Sequence, residues 1–328
     1  MKCKFQMPKS IAHPFLVAAV FISFLIVGAG GNELAHYYQE RNDGNISNEI
    51  HQSGFKYISP LLECTNFHNA DKSAIEISIN KIVAKKIEEK KITYASVYFR
   101  DLNNGAWVGI NEKEEFTPAS LLKVPLMISI LKAAETDSNV LSAKIIVNAG
   151  DENLPQNIIP LHKVETGKTY TVEDLIKYMI IYSDNQAAGA LLEHTTPEQL
   201  DQVFSNLGLK VPDNNDSENF MSVSEYATFF RVLYNSSYLN REMSEKALEI
   251  LSQSQFVDGL RAGVPASTII SHKFGERVLI SGKQLHDCGI VYKTNRPYLL
   301  CVMTRGTDFN LMSQAISELS AATYNEFK

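Results

Sequence analysis

The sequence has little cysteine and no excess of positive charge, and these two shortages exclude several kinds of protein. Its four cysteines stand at positions 3, 64, 288 and 301, without a C-x-x-C pair or a Cys/His spacing that would bind zinc. The 31 Lys and Arg residues are outnumbered by 37 Asp and Glu residues, so the formal net charge is −6. Binding to nucleic acid needs clustered Lys and Arg, and no basic patch with interleaved aromatics is present. We therefore expect no nucleic-acid partner, no metal and no cofactor.

The N-terminus has the pattern of an export segment. Lys2, Lys4 and Lys9 precede an uncharged apolar run over 15–27, which ends in a glycine-rich stretch. The run is short for a stable membrane span, yet no A-x-A cleavage site follows it, so a cleaved signal peptide and a retained signal anchor are both open. We predict an exported, extracytoplasmic protein, secreted or membrane-anchored through residues 1–31, followed by a polar linker over 32–54.

The rest of the chain, 55–328, predicts one folded domain with strands at both ends and helices between them. Apolar residues recur at helical spacing over 71–90, and two β-branched and aromatic segments follow over 93–110. Helical patterns dominate 120–254, strands return over 268–273, 288–292 and 298–304, and an amphipathic helix over 309–324 ends the chain. We predict an α/β (α+β) fold with a central antiparallel sheet from about 55–116 and 265–328, flanked by helices, and an all-helical part over about 117–264.

Ser120 and Lys123 stand three residues apart where a turn leads into a strongly apolar helix. Positions i and i+3 share one face of a helix, so the Lys123 amine can lie beside the Ser120 hydroxyl. A serine hydroxyl attacks a carbonyl poorly unless a neighbouring base removes its proton, and a lysine acts as that base only when its pKa is lowered. By itself the pair is a weak signal, because the same spacing arises by chance.

Two further motifs follow in order, Ser183-Asp184-Asn185 between two helices and Lys273-Phe274-Gly275 on a strand. Together the three motifs resemble those of the penicillin-recognising serine hydrolases, and most closely the class A β-lactamases. The similarity covers roughly 71–324. It implies the β-lactamase-like fold and a reaction that passes through an acyl-enzyme.

The resemblance also implies roles for individual residues. Ser120 is expected to be the nucleophile and Lys123 its base, while Ser183 is expected to pass a proton to the leaving nitrogen. Backbone N–H groups of Ser120 and Glu276 are expected to form the oxyanion hole. The expected substrate-binding residues are Asn185, Lys273, Phe274 and Gly275, and Lys273 is expected to attract a substrate carboxylate and to lower the pKa of Lys123 by like-charge repulsion.

Two departures from the family's pattern concern substrate binding and deacylation. Phe274 stands where the family has a Thr or Ser hydroxyl that binds the substrate carboxylate. The Glu-x-x-Leu-Asn loop, whose glutamate activates the deacylating water, is missing between positions 207 and 222. Glu218 with Asn219 is the only nearby Glu–Asn pair, at the wrong spacing, and Glu218 is a weak candidate for that base. Without a base, water attack on the acyl-enzyme slows by roughly 10²- to 10⁴-fold.

Cysteine and histidine pairs near the third motif offer further candidates. Cys288 and Cys301 oppose each other if a hairpin turns at 294–295, so either a disulfide or two small core residues fits the pattern. His272 and the pair His286-Asp287 flank the third motif and have the residue types of a catalytic His–Asp dyad. A structural role is the simpler interpretation, because the Ser–Lys pair already supplies a nucleophile and a base.

The sequence thus predicts a serine hydrolase acting on the ring amide of a β-lactam, expected to be a monomer. Three alternatives stay open. The first is a D,D-peptidase acting on cell-wall peptides that end in D-Ala-D-Ala. The second is a sensor that captures such a ligand without turnover. The third is a structural domain with decayed motifs, against which the intact Ser120, Lys123, Ser183, Asn185 and Lys273 argue.

Overall fold

The computed structural model describes residues 50–52, 54–63, 72–148, 156–213 and 218–327. The predicted export segment (1–31) and most of the predicted linker (32–54) lie outside these ranges, as do Cys3 and Cys64. Within the described ranges, no helix combines the length and the apolar character that crossing a membrane requires.

A five-stranded antiparallel sheet forms the centre of the structure, in the order β4-β3-β11-β10-β9. Short strands form three two-stranded sheets, β1 with β2, β5 with β8, and β6 with β7. The described strands are β1 (Ile50–His51), β2 (Leu61–Glu63), β3 (Tyr94–Asp101), β4 (Trp107–Ile110), β5 (Glu115–Phe116), β6 (Lys144–Ile146), β7 (Thr169–Thr171), β8 (Met221–Ser222), β9 (Ile270–Leu279), β10 (Gly282–Val291) and β11 (Tyr298–Gly306). Strands from both ends of the domain therefore build one sheet, with β9 at an edge, and this confirms the predicted fold class.

Most of the helices lie between β5 and β9 in the chain. The described α-helices are α1 (Lys72–Glu88), α2 (Lys123–Ala134), α3 (Asn139–Ser142), α4 (Val172–Ile181), α5 (Asn185–Glu193), α6 (Pro197–Asn206), α7 (Val223–Tyr234), α8 (Arg241–Leu251) and α9 (Phe309–Glu326). Short 3₁₀ turns cover Ala119–Leu122 and Leu260–Gly263. Two of the α-helices begin at a residue whose side chain caps them. Thr196 forms a capping box at the start of α6, and Ser222 forms one at the start of α7.

Two apolar clusters hold the layers together. The larger one joins the helices between β5 and β9 to one face of the sheet, and the smaller one joins α1 and α9 to the other. Strands β3 and β11 are buried along almost their whole length because both faces of the sheet are covered. The sheet is thus a rigid support for residues at its β9 edge.

The last hairpins differ in part from the prediction. The predicted strand over 268–273 continues to Leu279, and β10 begins at Gly282, six residues before the predicted start at Cys288. Gly282 has a φ of +135°, which allows the tight turn between the two strands. The prediction missed this hairpin because 276–287 carries several charged side chains and lacks a clear apolar alternation. Cys288 and Cys301 are directly opposed, as predicted.

Candidate active site

Ser120 lies in a 3₁₀ turn and not, as the spacing predicted, in the first turn of an α-helix. The turn covers Ala119–Leu122, and α2 begins only at Lys123. Ala119 has a φ of +50°, a strained value for a residue with a side chain. Ser120 is half-buried, and among the described residues its Oγ makes no hydrogen bond. Ser120, the candidate nucleophile, therefore lies on a sharp bend just before a buried helix.

Gly275 fixes the distance between this turn and the sheet. A Cβ at Gly275 would lie 2.7 Å from the carbonyl oxygen of Pro118 and 3.1 Å from the backbone nitrogen of Leu121. Only a glycine permits such a close approach of β9 to the turn. The contact brings the backbones of Ser120 and Glu276 into one neighbourhood, as an oxyanion hole made from their N–H groups requires.

Thr117 makes hydrogen bonds to three other residues, which anchor the chain just before Ser120. Its backbone N–H donates to Gln284 Oε1 at 2.9 Å, and its hydroxyl donates to Asn219 Oδ1 at 3.0 Å. Its carbonyl accepts from His286 Nε2 at 3.0 Å. Burial lowers the pKa of His286 to about 4, so the ring is neutral and its donor hydrogen is on Nε2. These anchors were not predicted, because they join segments more than 100 residues apart.

Lys123 is buried and points towards the corner between α4 and α5. Its Nζ donates to the Ser183 carbonyl at 2.6 Å and to Asn185 Oδ1 at 2.6 Å, with Ser183 Oγ at 3.3 Å. Burial lowers the pKa of Lys123 to about 7, against the opposing pull of the Asp184 and Glu276 charges. An amine with this pKa is partly neutral near pH 7 and can accept a proton. No hydrogen bond joins it to Ser120 Oγ in the described part of the chain.

Lys273 is fully buried and lies on the other side of Ser183. Its Nζ donates to Ser183 Oγ at 2.8 Å and to the Phe274 carbonyl at 2.9 Å. Burial, and then the nearby Lys123, lower the pKa of Lys273 well below its ordinary value. Burial is the first cause of the lowered Lys123 pKa, and the like-charge repulsion between the two amines is expressed in the lowered pKa of Lys273. Ser183 Oγ thus lies between the amines of Lys123 and Lys273. It can receive a proton from one of these amines and donate a proton to a further group.

The corner that carries Ser183 has its own support. Ser183 has a φ of +59°, and Asp184 caps α5 by accepting from the Gln186 backbone N–H at 2.9 Å. The second Asp184 oxygen accepts from the Val164 backbone N–H at 2.7 Å. One buried carboxylate therefore fixes both the start of α5 and the loop that precedes β7.

The Phe274 side chain is buried in the apolar packing, so a contact of this residue with a substrate stays a prediction. The ring is 4% exposed and stacks on Phe256 with a centroid separation of 4.2 Å. Its face lies 4.3 Å from Lys273 Nζ. Phe274 therefore fills the space beside that amine and contributes to its burial, where a hydroxyl would have bound a carboxylate.

Glu276 makes a side-chain contact that the sequence did not predict. Its carboxylate accepts from the Asn157 backbone N–H at 2.5 Å, from Asn157 Nδ2 at 2.8 Å and from the Ile158 backbone N–H at 3.2 Å. The neighbouring Gln156 donates through Nε2 to the Ser183 carbonyl at 3.0 Å. Sequence separations of 27 to 119 residues explain why no local pattern indicated these partners.

The candidate deacylation base lies apart from this network. Glu218 is an exposed side chain, 60% accessible, whose carboxylate pairs with Arg277 at 3.3 Å. The next residue, Asn219, is the one that contacts the nucleophile region, through Thr117 and through Gln284 Nε2 at 2.8 Å. Residues 214–217 of the same loop lie outside the described ranges. The structure does not bring Glu218 together with Ser120 through any described hydrogen bond.

The remaining pairs near the third motif are structural. His272 Nδ1 contacts Asp287 Oδ1 at 2.8 Å, and Asp287 Oδ2 accepts from the Leu260 backbone N–H at 2.8 Å. No described hydrogen bond links this pair to Ser120, Lys123 or Ser183. Cys288 and Cys301 are bonded as a disulfide between β10 and β11, in register with Lys273 on β9. No group of three or more His, Cys, Asp or Glu residues suited to a metal ion occurs in the described ranges.

Comparisons with known proteins agree with the observed fold. The model of the β-lactamase enzyme family matches residues 75–327. A mutant of PBP-A, solved as an acyl-enzyme complex with penicillin G, is 22% identical, with a TM-score of 0.66 over 78% of this chain and 97% of that one. A β-lactamase from Sphaerobacter thermophilus is also 22% identical, with a TM-score of 0.63 over 75% of this chain and 95% of that one. A class A β-lactamase from Bacteroides cellulosilyticus is 19% identical, with a TM-score of 0.65 over 77% and 98%. No curated protein matches the sequence.

Proposed function

Because the chain belongs to the β-lactamase enzyme family, we propose that it is a serine hydrolase that opens the ring amide of a β-lactam and forms an acyl-enzyme on Ser120. The observation that carries this proposal is the buried Lys123–Ser183–Lys273 network next to a strained serine turn. Buried amines with lowered pKa values are the form of lysine that acid–base catalysis needs.

The acylation step uses these residues in sequence. Ser120 Oγ attacks the ring carbonyl carbon while Lys123 Nζ takes the hydroxyl proton. Backbone N–H groups of Ser120 and Glu276 stabilise the oxyanion. The carbon–nitrogen bond then breaks as Ser183 Oγ gives a proton to the ring nitrogen, and Lys123 returns the first proton to Ser183. Asn185 accepts a hydrogen bond from the Lys123 amine and keeps it directed towards Ser183.

Deacylation is the slow half of the proposed cycle. Water must then attack the Ser120 ester, and a general base would accelerate this step by roughly 10²- to 10⁴-fold. Glu218, the candidate base in the sequence, is engaged by Arg277 at the surface. The pairing supports a long-lived acyl-enzyme and not a rapid β-lactamase.

The same pairing favours a second candidate function, a D,D-peptidase or penicillin-binding sensor that acts on cell-wall peptides ending in D-Ala-D-Ala. Such a protein needs acylation but not fast hydrolysis of a β-lactam ester. The similarity to PBP-A, a mutant of which was solved as an acyl-enzyme with penicillin G, supports this candidate. Export through residues 1–31 and a monomeric state stay proposals that rest on the sequence alone.

Intact-mass spectrometry of the full-length chain with benzylpenicillin tests the proposal. We expect the wild type to gain the mass of one penicillin and Ser120→Ala to gain none. Ser142→Ala, which removes a hydroxyl at the exposed end of α3, is the matched control and should be labelled like the wild type. Labelling of Ser120→Ala, or no labelling of the wild type, would show that the nucleophile assignment is wrong. Incubation with a D-Ala-D-Ala peptide, followed by detection of released D-alanine, tests the second candidate.

A further inference from the structure

Residues 156–158, here called the strap, connect the helical part of the domain to strand β9. The hydrogen bond between Lys273 and Ser183 connects the same two parts. One end of the strap lies on the helical side, where Gln156 Nε2 donates to the Ser183 carbonyl at 3.0 Å. The other end lies on the sheet, where Asn157 and Ile158 donate to the Glu276 carboxylate. Lys273 Nζ joins the same two sides through Ser183 Oγ. The strap therefore crosses the site beside the Lys273 amine.

The strap is held mainly by one carboxylate. Three of its described polar contacts are with Glu276, and hydrogen bonds to a charged acceptor are stronger than neutral ones. The loop that follows the strap is anchored independently, because the Val164 backbone N–H donates to Asp184 and Gln186 Nε2 donates to Thr166. Loss of the Glu276 contacts should therefore release the strap without releasing the rest of the loop.

The burial of Glu276 and the packing of Ile158 agree with a strap that stays bound to Glu276. Its side chain is only 9% exposed although β9 is an edge strand. Ile158 is half-buried and packs against the cluster that contains Phe256 and Phe274. The strap and the Phe274 ring thus contribute to one apolar cluster next to Lys273, the residue that the family resemblance expects to attract the substrate carboxylate.

We propose that the Glu276 side chain determines acyl-donor specificity by holding residues 156–158 across the site beside Lys273. Donors with a large group next to their ring carboxylate then acylate Ser120 slowly, because the strap must leave Glu276 first. This inference rests on the proposed acylation of Ser120. The specificity role belongs to the Glu276 carboxylate, whereas the proposed oxyanion-hole role belongs to its backbone N–H.

The test compares two acyl donors on the full-length chain, benzylpenicillin and a cephalosporin with a bulky substituent beside its ring carboxylate. In Glu276→Gln, the second-order acylation rate of the bulky cephalosporin should rise roughly tenfold or more, as expected for the loss of several hydrogen bonds to a charged group. The rate with benzylpenicillin should change less. Asn157→Ala, which removes one donor and keeps Glu276, should give a smaller change in the same direction.

Glu165→Gln is the matched control, because Glu165 is an exposed acid of the same loop that pairs with Lys168. It should behave like the wild type with both donors. Amide hydrogen exchange of Asn157 and Ile158, measured without any ligand, should accelerate in Glu276→Gln and stay unchanged in Glu165→Gln. The hydrogen-exchange measurement tests the contact between Glu276 and the strap even if the variants react with neither donor.

Three outcomes would overturn the inference. Unchanged exchange in Glu276→Gln would show that its carboxylate does not hold the strap. Faster exchange with wild-type acylation rates, or with an equal change for both donors, would show that the strap does not select among donors. If the wild type itself forms no adduct with either donor, the proposed function fails and the specificity role fails with it, which is distinguishable from a failure in Glu276→Gln alone.

Discussion

The two sides of Ser120 are built very differently. On one side, Lys123, Ser183 and Lys273 are buried and joined by short hydrogen bonds. On the other, the segment before β8 supplies Asn219, which holds Thr117, and Glu218, which lies at the surface against Arg277. The side that is proposed to form the acyl-enzyme is buried and connected by hydrogen bonds, whereas Glu218, the weak candidate for the deacylation base, is exposed to solvent. In the proposed function, the acylation half of the cycle therefore has a buried hydrogen-bonded network behind it, and the deacylation half does not.

The largest expected effect comes from removing the base on the buried side. Lys123→Met keeps the volume of the side chain and removes the amine, so the second-order acylation rate with benzylpenicillin should fall by roughly 10²- to 10⁴-fold. Stopped-flow or mass-based kinetics measure this rate. Lys132→Met, at the far and exposed end of α2, is the matched control and should acylate normally. A rate within about threefold of the wild type in Lys123→Met would remove Lys123 from the mechanism.

A second prediction concerns whether a hydroxyl next to Lys273 would complete the buried side. Phe274→Thr should not improve acylation, because the ring is part of the packing against Phe256. It should lower the free energy of unfolding by about 3 kcal/mol through the cavity it leaves. Chemical denaturation measures the loss, and Phe274→Leu should lose less. Undiminished stability together with faster acylation would show that the ring blocks a working carboxylate site.

The pH dependence of acylation follows from the buried lysine. Lys123 has an ordinary pKa of 10.5, lowered to about 7, and only its neutral form accepts the Ser120 proton. The acylation rate should therefore fall about tenfold for each pH unit below about 7 and level off above it. The residual rate of Lys123→Met should lack this step. A wild-type rate that keeps rising up to about pH 10 would indicate that burial does not lower the pKa of Lys123.

The smallest expected effect is on the exposed side. Glu218→Gln should change the lifetime of the acyl-enzyme by less than about twofold, because the carboxylate pairs with Arg277 in solvent. The decay of the adduct mass gives the lifetime directly. A lifetime extended by roughly 10²-fold or more would instead identify Glu218 as the deacylation base and remove the contrast between the two sides.

Much of the buried side could be predicted from the sequence, because Ser120, Lys123, Ser183, Asn185 and Lys273 stand in short motifs on recognisable elements. Their detailed connections could not be predicted. The burial that lowers the pKa of Lys123 arises from packing of helices far apart in the chain. The Phe274 ring faces Phe256 because of the path of the chain after α8, which no local pattern specifies.

The fold shows the same division. Strand and helix order were enough to predict the sheet and its helical insertion, since alternating and helical periodicities are local properties. The hairpin at Gly282 was missed because its strands carry charged residues near the edge of the sheet. The strap on Glu276 depends on a contact across 119 residues, and only the folded chain brings its donors and acceptor together.

The contrast between the two sides is tested most directly by the fate of the acyl-enzyme. Full-length protein is mixed with a small excess of benzylpenicillin, and the intact mass and the released penicilloate are followed in the same sample. We predict that the adduct on Ser120 forms in one equivalent and persists, while free penicilloate accumulates only slowly because each molecule requires hydrolysis of the adduct. Hydrolysis at about 10 turnovers per second, a usual enzyme rate, with no accumulated adduct, would contradict the account.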